Sequence, residues 1–187
     1  SDTWADPNQQ EIPLAWESYL SDDTALSNIL YQYTFTTLQI LDSLQLLPEI
    51  FQIGNEINPM ILQKWNLVWP INWTRNALLL NKGIEAVRNY CQTSTKNIEI
   101  MLHIAQPENG LWWYNDATNN GVVDFDWIGL SYYPQWSQYD FSNLEEVLYE
   151  LRTQYNKKLM IVETAYPYTL NNYDSANNIF CLLYTSP

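Results

Sequence analysis

Two glutamates sit where a carboxylate is costly to keep. Ile50-Phe51-Gln52-Ile53 has the apolar, β-favouring character of a short buried strand, and it stops abruptly in Gly54-Asn55-Glu56. Leu159-Met160-Ile161-Val162 repeats the design and stops in Glu163. A carboxylate at the end of a buried strand loses hydration unless the strand opens into a polar cleft. Two such strands in one sheet would deliver two carboxylates to one rim, as an acid/base or nucleophile pair. Taken singly, each Glu reads equally well as a solvated strand end. The repetition favours chemistry.

The elements that must position this pair alternate along the chain. Residues 1–24 read as a loop. From Thr24 a helix is predicted, because Leu26, Ile29, Leu30, Tyr33, Leu41 and Leu44 recur at three-to-four spacing; Thr34, Thr36 and Thr37 oppose it, and Pro48 closes it. The strand ending in Glu56 follows, then a loop rich in Asn, Pro and Trp. A second helix is predicted from about Thr74 to Gln92, with Gly83 as its weak point. Residues 98–104 read as a strand, 109–121 as a short helix or structured loop, and 125–133 as a strand stopped by Pro134. Ser142-Asn143-Leu144-Glu145 fits a capping box that would open another helix. The last strand then runs to Glu163. Such alternation predicts an α/β fold with parallel strands.

In a (β/α)8 barrel, functional residues gather at the C-terminal ends of the strands. Here those ends carry Asn55 and Glu56, then His103, then Tyr132, then Glu163. The competing readings are a satisfied, partly buried imidazole for His103 and a core aromatic with a bonded hydroxyl for Tyr132.

Charge narrows the partner. Against 21 Asp and Glu the chain has only 8 Lys and Arg, for a formal charge of −13, which repels nucleic acid and anionic membranes and suits a neutral ligand. With 47% hydrophobic residues the 187-residue chain has enough apolar material for one sizeable core. Nine Trp and fourteen Tyr exceed what most cores need, and the surplus can stack on flat apolar faces such as those of sugar rings. Cys91, inside a predicted helix, reads as a free buried thiol. No apolar run approaches the length of a membrane span.

Together, Ser1-Asp2-Thr3-Trp4-Ala5-Asp6-Pro7, Gln52-Ile53-Gly54-Asn55-Glu56-Ile57, Met101-Leu102-His103-Ile104, Asp126-Trp127-Ile128-Gly129-Leu130-Ser131-Tyr132-Tyr133-Pro134 and Val162-Glu163-Thr164-Ala165-Tyr166-Pro167 resemble the arabinogalactan endo-β-1,4-galactanases of glycoside hydrolase family 53. The resemblance implies a partial (β/α)8 TIM barrel, from the end of strand three through strand seven. It implies retaining hydrolysis of β-1,4-galactan, a neutral polysaccharide, with Glu56 as general acid/base and Glu163 as nucleophile. It also implies that Asn55 bonds the sugar hydroxyl beside the reacting carbon and that Tyr132 touches and orients Glu163. His103, Trp4, Trp69 and Trp136 would line the cleft. No cofactor or metal is expected at the site, a structural calcium belonging to parts outside this chain; the protein would be secreted or held at the cell envelope.

The chain also departs from that family. Strands one, two and most of three are expected before Ser1, and strand eight after Phe180. On this reading residues 1–180 are one incomplete barrel domain, unstable and weakly active by itself. Residues 181–187 are off-pattern and read as a foreign tail. The loop from Asn58 to Trp73 differs from the usual version, and Ser137-Gln138 replaces an expected His-Gly. Two other readings stay open: another retaining barrel glycosidase, such as a β-mannanase or xylanase, and a catalytically inactive galactan-binding barrel.

Overall fold

The computed structural model describes residues 10–64, 69–165 and 171. Helix α1 (Asp23–Ser43) starts where the Asp22 carboxylate accepts the Ala25 N–H at 2.9 Å. Its threonines are accommodated: Thr34 is buried, and the Thr37 hydroxyl donates to the Tyr33 carbonyl one turn back. Before it, Leu14–Tyr19 form a 3-10 helix inside the stretch predicted as loop. Strand β1 (Ile50–Gln52) leads to α2 (Trp73–Ser94), capped by Asn72 accepting the Arg75 N–H. Gly83 packs α2 against Ile53, just past β1, since a Cβ there would come within 3.1 Å of Ile53 Cγ2. The glycine that weakened the helix prediction therefore serves close packing.

Next come β2 (Glu99–Ala105), α3 (Pro107–Asn119), β3 (Trp127–Ser131), α4 (Phe141–Tyr155) and β4 (Lys158–Glu163). The predicted capping box is replaced by a cap two residues earlier. The Asp140 carboxylate accepts from the backbone N–H groups of Ser142 and Asn143 at 2.9 and 3.0 Å, and its charge also suits the helix N-terminus.

The four strands lie in the order β1-β2-β3-β4, every pair parallel, each joined to the next by one helix. This is the predicted α/β arrangement of consecutive βα units. Among the described residues, β1 pairs only with β2 and β4 only with β3.

Alternation divides the sheet into two faces. Ile100, Leu102, Ile104, Ile128 and Leu130 join the helices in the core cluster, with Trp113, Tyr114 and Leu151. Met101, His103, Ala105, Gly129 and Ser131 point the other way. At the N-terminal ends of the strands, Arg88 bridges Asp124 and Asp126 at 2.8 and 2.9 Å, while Asp126 accepts the Ile100 N–H. Glu99 joins Lys158 and the Trp127 indole there. That end is stapled by structure, which leaves the C-terminal end for function.

Candidate active site

Glu56 does not finish a strand. The β1 ladder ends at Gln52, and the backbone turns through Gly54 at φ +74°. A Cβ at Gly54 would meet Ile57 Cγ2 at 2.4 Å, so both the conformation and the space demand glycine. Glu56 itself adopts φ 45°, a left-handed conformation costing a non-glycine residue about 1–2 kcal/mol. The loop is held in that shape by Ile53 N–H to the Met101 carbonyl and Ile57 N–H to the His103 carbonyl, at 3.0 and 2.9 Å. Gln10 adds a side-chain bond to the Asn55 carbonyl, and Asn58 exchanges two bonds with Ala105. The result buries Glu56 to 6% exposure and sets its Oε1 2.6 Å from Ser131 Oγ.

Glu163 does end its strand, but strict alternation would aim it wrongly. Leu159 and Ile161 pack on the helix side, which would send Glu163 there as well. Between β3 and β4 the register shifts: Leu130 pairs with Ile161, whereas Ser131 pairs with Glu163, skipping Val162. This bulge returns Glu163 to the face that carries His103. Its Oε2 accepts the Tyr133 hydroxyl at 3.1 Å, and its Oε1 lies 3.9 Å from His103 Nδ1. The carboxylate is one-third exposed. Burial, then the bond to Glu163, push the Tyr133 hydroxyl up to about 12, so it remains a donor.

His103 sits between the carboxylates and is fully buried. Nδ1 lies 3.0 Å from Asn55 Oδ1, and Nε2 lies 2.8 Å from Ser131 Oγ. Burial lowers its pKa to about 4, so near neutral pH the ring is uncharged and its approach to Glu163 is not an ion pair. Asn55 Oδ1 also accepts from Gln52 Nε2 at 3.0 Å. Glu56, His103 and Glu163 each place one oxygen or nitrogen within 4.8 Å of the others. A cation could span that set, but both ring nitrogens already have partners.

Asn55, Glu56, His103 and Glu163 thus converge as the sequence suggested, while other assignments need correcting. His103 presents no surface to a sugar; it is enclosed by Asn55 and Ser131. A hydroxyl on Glu163 belongs to Tyr133, the neighbour of the expected Tyr132. Tyr132 meets Glu163 through its backbone N–H, which donates to the Glu163 carbonyl at 2.8 Å. Its hydroxyl goes to the Tyr139 carbonyl and its ring packs on Phe141. Trp136 is 58% exposed beside Tyr133, ring centroids 5.1 Å apart, where it can face a ligand. Trp69, 54% exposed, leans edge-on against Trp112 farther out. Trp4 lies outside the described residues.

Ser131, Tyr133 and Gln52 were not anticipated. Parity along β3 held the signal for two of them: if Gly129 faces His103, then Ser131 and Tyr133 share that face and Tyr132 does not.

Comparison with known proteins places this geometry among relatives. The model of glycosyl hydrolase family 53 matches residues 1–182. An arabinogalactan endo-β-1,4-galactanase of Cellvibrio japonicus (strain Ueda107) is 54% identical over 181 residues, covering 96% of this chain and 48% of the relative. Among solved structures, the GH53 catalytic domain of Ignisphaera aggregans superposes with a TM-score of 0.82 at 34% identity, over 96% of this chain and 48% of that one. A fungal β-1,4-galactanase superposes with a TM-score of 0.80 at 32% identity, over 92% and 52%. The chain spans about half the length of the relatives it matches.

Proposed function

The chain belongs to glycosyl hydrolase family 53, and on that premise we propose that Glu56 and Glu163 are the acid/base and the nucleophile of a retaining endo-hydrolase of β-1,4-galactan. One observation carries the reading: an oxygen of Glu56 and one of Glu163 lie within 4.8 Å of each other across the groove. Retaining glycosidases hold their carboxyl groups roughly 5–5.5 Å apart, and inverting ones about 6.5–9.5 Å, to admit a water. Two carboxylates whose nearest oxygens lie this close are compatible with the retaining separation.

The surroundings support this division of roles. Glu163 is partly exposed and accepts the tyrosine hydroxyl on Oε2, which leaves Oε1 toward the groove for attack. It bonds the anomeric carbon as the glycosidic C–O bond breaks, and Glu56 gives its proton to the departing oxygen. Water then attacks the same carbon from the vacated face, loses a proton to Glu56, and the Glu163–sugar bond breaks. Asn55 commits its Oδ1 to Gln52 and His103, which leaves its NH2 for the neighbouring sugar hydroxyl. Trp136, and Trp69 farther out, offer faces on which uncharged rings can stack. A surface with net charge −13 tolerates such a polymer better than an acidic one. No step calls for a metal. Because a polysaccharide does not cross a membrane, the enzyme would work outside the cytoplasm, secreted or at the cell envelope.

The test uses the complete protein that carries these residues, incubated separately with β-1,4-galactan, mannan and xylan. New reducing ends are expected from galactan alone, with the β-anomer appearing first by proton NMR. Initial release of the α-anomer would exclude the retaining pair. Preferential cleavage of mannan or xylan would exclude the substrate, and binding of galactan without cleavage would exclude an enzyme.

A further inference from the structure

The hydrogen bonds behind Glu56 have a polarity that can be worked out one proton at a time. Gln52 Nε2 lies 2.8 Å from the Gly54 carbonyl, a contact only a donor makes, so the NH2 end of Gln52 points there. The Asn55 atom that the same nitrogen reaches at 3.0 Å must then be an acceptor, the amide oxygen. That oxygen faces His103 Nδ1 at 3.0 Å, and Glu163 Oε1 stands 3.9 Å from the same nitrogen. With two acceptors in front of it, Nδ1 carries the ring proton. A neutral imidazole has one N–H, so Nε2 is bare and accepts the Ser131 hydroxyl proton across 2.8 Å. The Ser131 proton is thereby used. The 2.6 Å contact between Ser131 Oγ and Glu56 Oε1 then lacks a hydrogen unless Glu56 supplies it.

We propose that Ser131 and His103 are positioning residues that form a proton-keeping relay behind Glu56, fixing Glu56 as the donor and so holding the resting site in its acid form. Burial favours the uncharged ring that this requires, since it holds the His103 pKa down at about 4. The use made of the stored proton rests on the glycosidase reading above; the relay itself is a property of the folded protein.

The relay acts in both halves of the reaction. For the first step the Glu56 proton leaves its bond to Ser131 Oγ and turns to the departing oxygen; once it is given, the Ser131 hydroxyl can turn to the new carboxylate. It then abandons His103 Nε2, leaving two lone pairs face to face. Alternatively it stays on Nε2, and the carboxylate loses that bond. Either way the anion is penalised, and the penalty is relieved when the attacking water returns a proton to Glu56. The titratable groups facing Glu56 include Glu163 from β4, Tyr133 just past β3, and His103 from β2. A charged Glu163 and a protonated Tyr133 leave the sign of the effect unchanged, because a negative neighbour also favours the protonated acid.

An ordinary serine–carboxylate bond, with the hydroxyl donating to an ionised Glu56, makes the opposite forecast, and this separates the two. In the complete protein carrying this chain, Ser131→Ala should move the Glu56 titration, read by carbon-13 NMR of labelled glutamate, down by about one pH unit, the worth of one hydrogen bond. The alkaline limb of kcat/KM on galactan should move down with it, and Ser131→Thr, which keeps the hydroxyl, should restore both. In the unsubstituted protein, nitrogen-15 shifts of His103, assigned by their loss in His103→Gln, should place the proton on Nδ1 and leave Nε2 bare. An upward or absent shift in Ser131→Ala, or a proton resident on Nε2, overturns the relay. The NMR measurements need no substrate: a relay intact in a protein that cleaves no galactan sinks only the assigned reaction, and cleavage with the wrong shift sinks only the relay.

Discussion

Replacing Tyr133 by Phe removes one oxygen from the wall of the groove and tests which of two adjacent tyrosines serves Glu163. Tyr133 donates to Glu163 Oε2 at 3.1 Å, whereas the Tyr132 hydroxyl is spent on the Tyr139 carbonyl. A hydrogen bond to a charged group contributes about 1.5–3 kcal/mol. Here 3.1 Å is long for an O–H···O contact, and Glu163 is one-third exposed, so water partly replaces the lost donor. The low end, about 1.5 kcal/mol, is therefore appropriate and corresponds to roughly tenfold in rate. Tyr133→Phe should lower kcat/KM on β-1,4-galactan about tenfold and cost at most about 1.5 kcal/mol of stability. Tyr132→Phe should lose about 1 kcal/mol of stability with activity held within roughly twofold. Because Tyr133 titrates only near 12, its donation persists across any working pH; the stability from its protonated form is complete below the ordinary value of 10.0 and fades as pH climbs through about 12. Steady-state kinetics and thermal melts of both variants decide the matter. If Tyr132→Phe is the more damaging to turnover, the geometry assigned to the nucleophile is wrong.

Glu163→Ala should cut galactan cleavage on the order of a thousandfold or more, and added azide should rescue it by forming the α-galactosyl azide; a β-azide would instead mark Glu163 as the acid/base. His103 is lowered from 6.5 to about 4, so the folded state binds fewer protons than the unfolded chain between those values. Its contribution, about 3 kcal/mol, is complete above pH 6.5 and lost as pH falls toward 4, and His103→Gln should flatten that acid side of the melting-temperature profile. Gly54→Ala must place a Cβ against Ile57 Cγ2 at a backbone angle of +74°, so urea denaturation should show a loss of at least about 2 kcal/mol, with kcat falling as the Glu56 loop shifts.

Much of this arrangement could be read from residue order. The apolar runs ending near Glu56 and Glu163, separated by helical stripes, were enough to predict parallel strands and a shared rim. What escaped has identifiable causes. The Glu56 turn depends on left-handed backbone angles, which the Gly-Asn-Glu sequence permits but does not announce. The bulge at Val162 is a matter of pairing between strands and leaves no mark on β4 alone. The resemblance points to Tyr132, whereas the parity of β3 places Tyr133 on the face that carries Glu163. Ser131, small and uncharged, carries no chemical signature until His103 and Glu56 stand on either side of it. Asp140 displaced Ser142 as the helix cap because a carboxylate satisfies two N–H groups and the dipole together.

Glu56 finds its serine 75 positions farther along the chain. Until β3 docks beside β2, that glutamate has no Ser131 within reach, so the relay proposed above exists only once the third strand is in place. On the proposed reading, turnover is therefore the last property to be acquired, and its regain during refolding should lag the regain of helical signal.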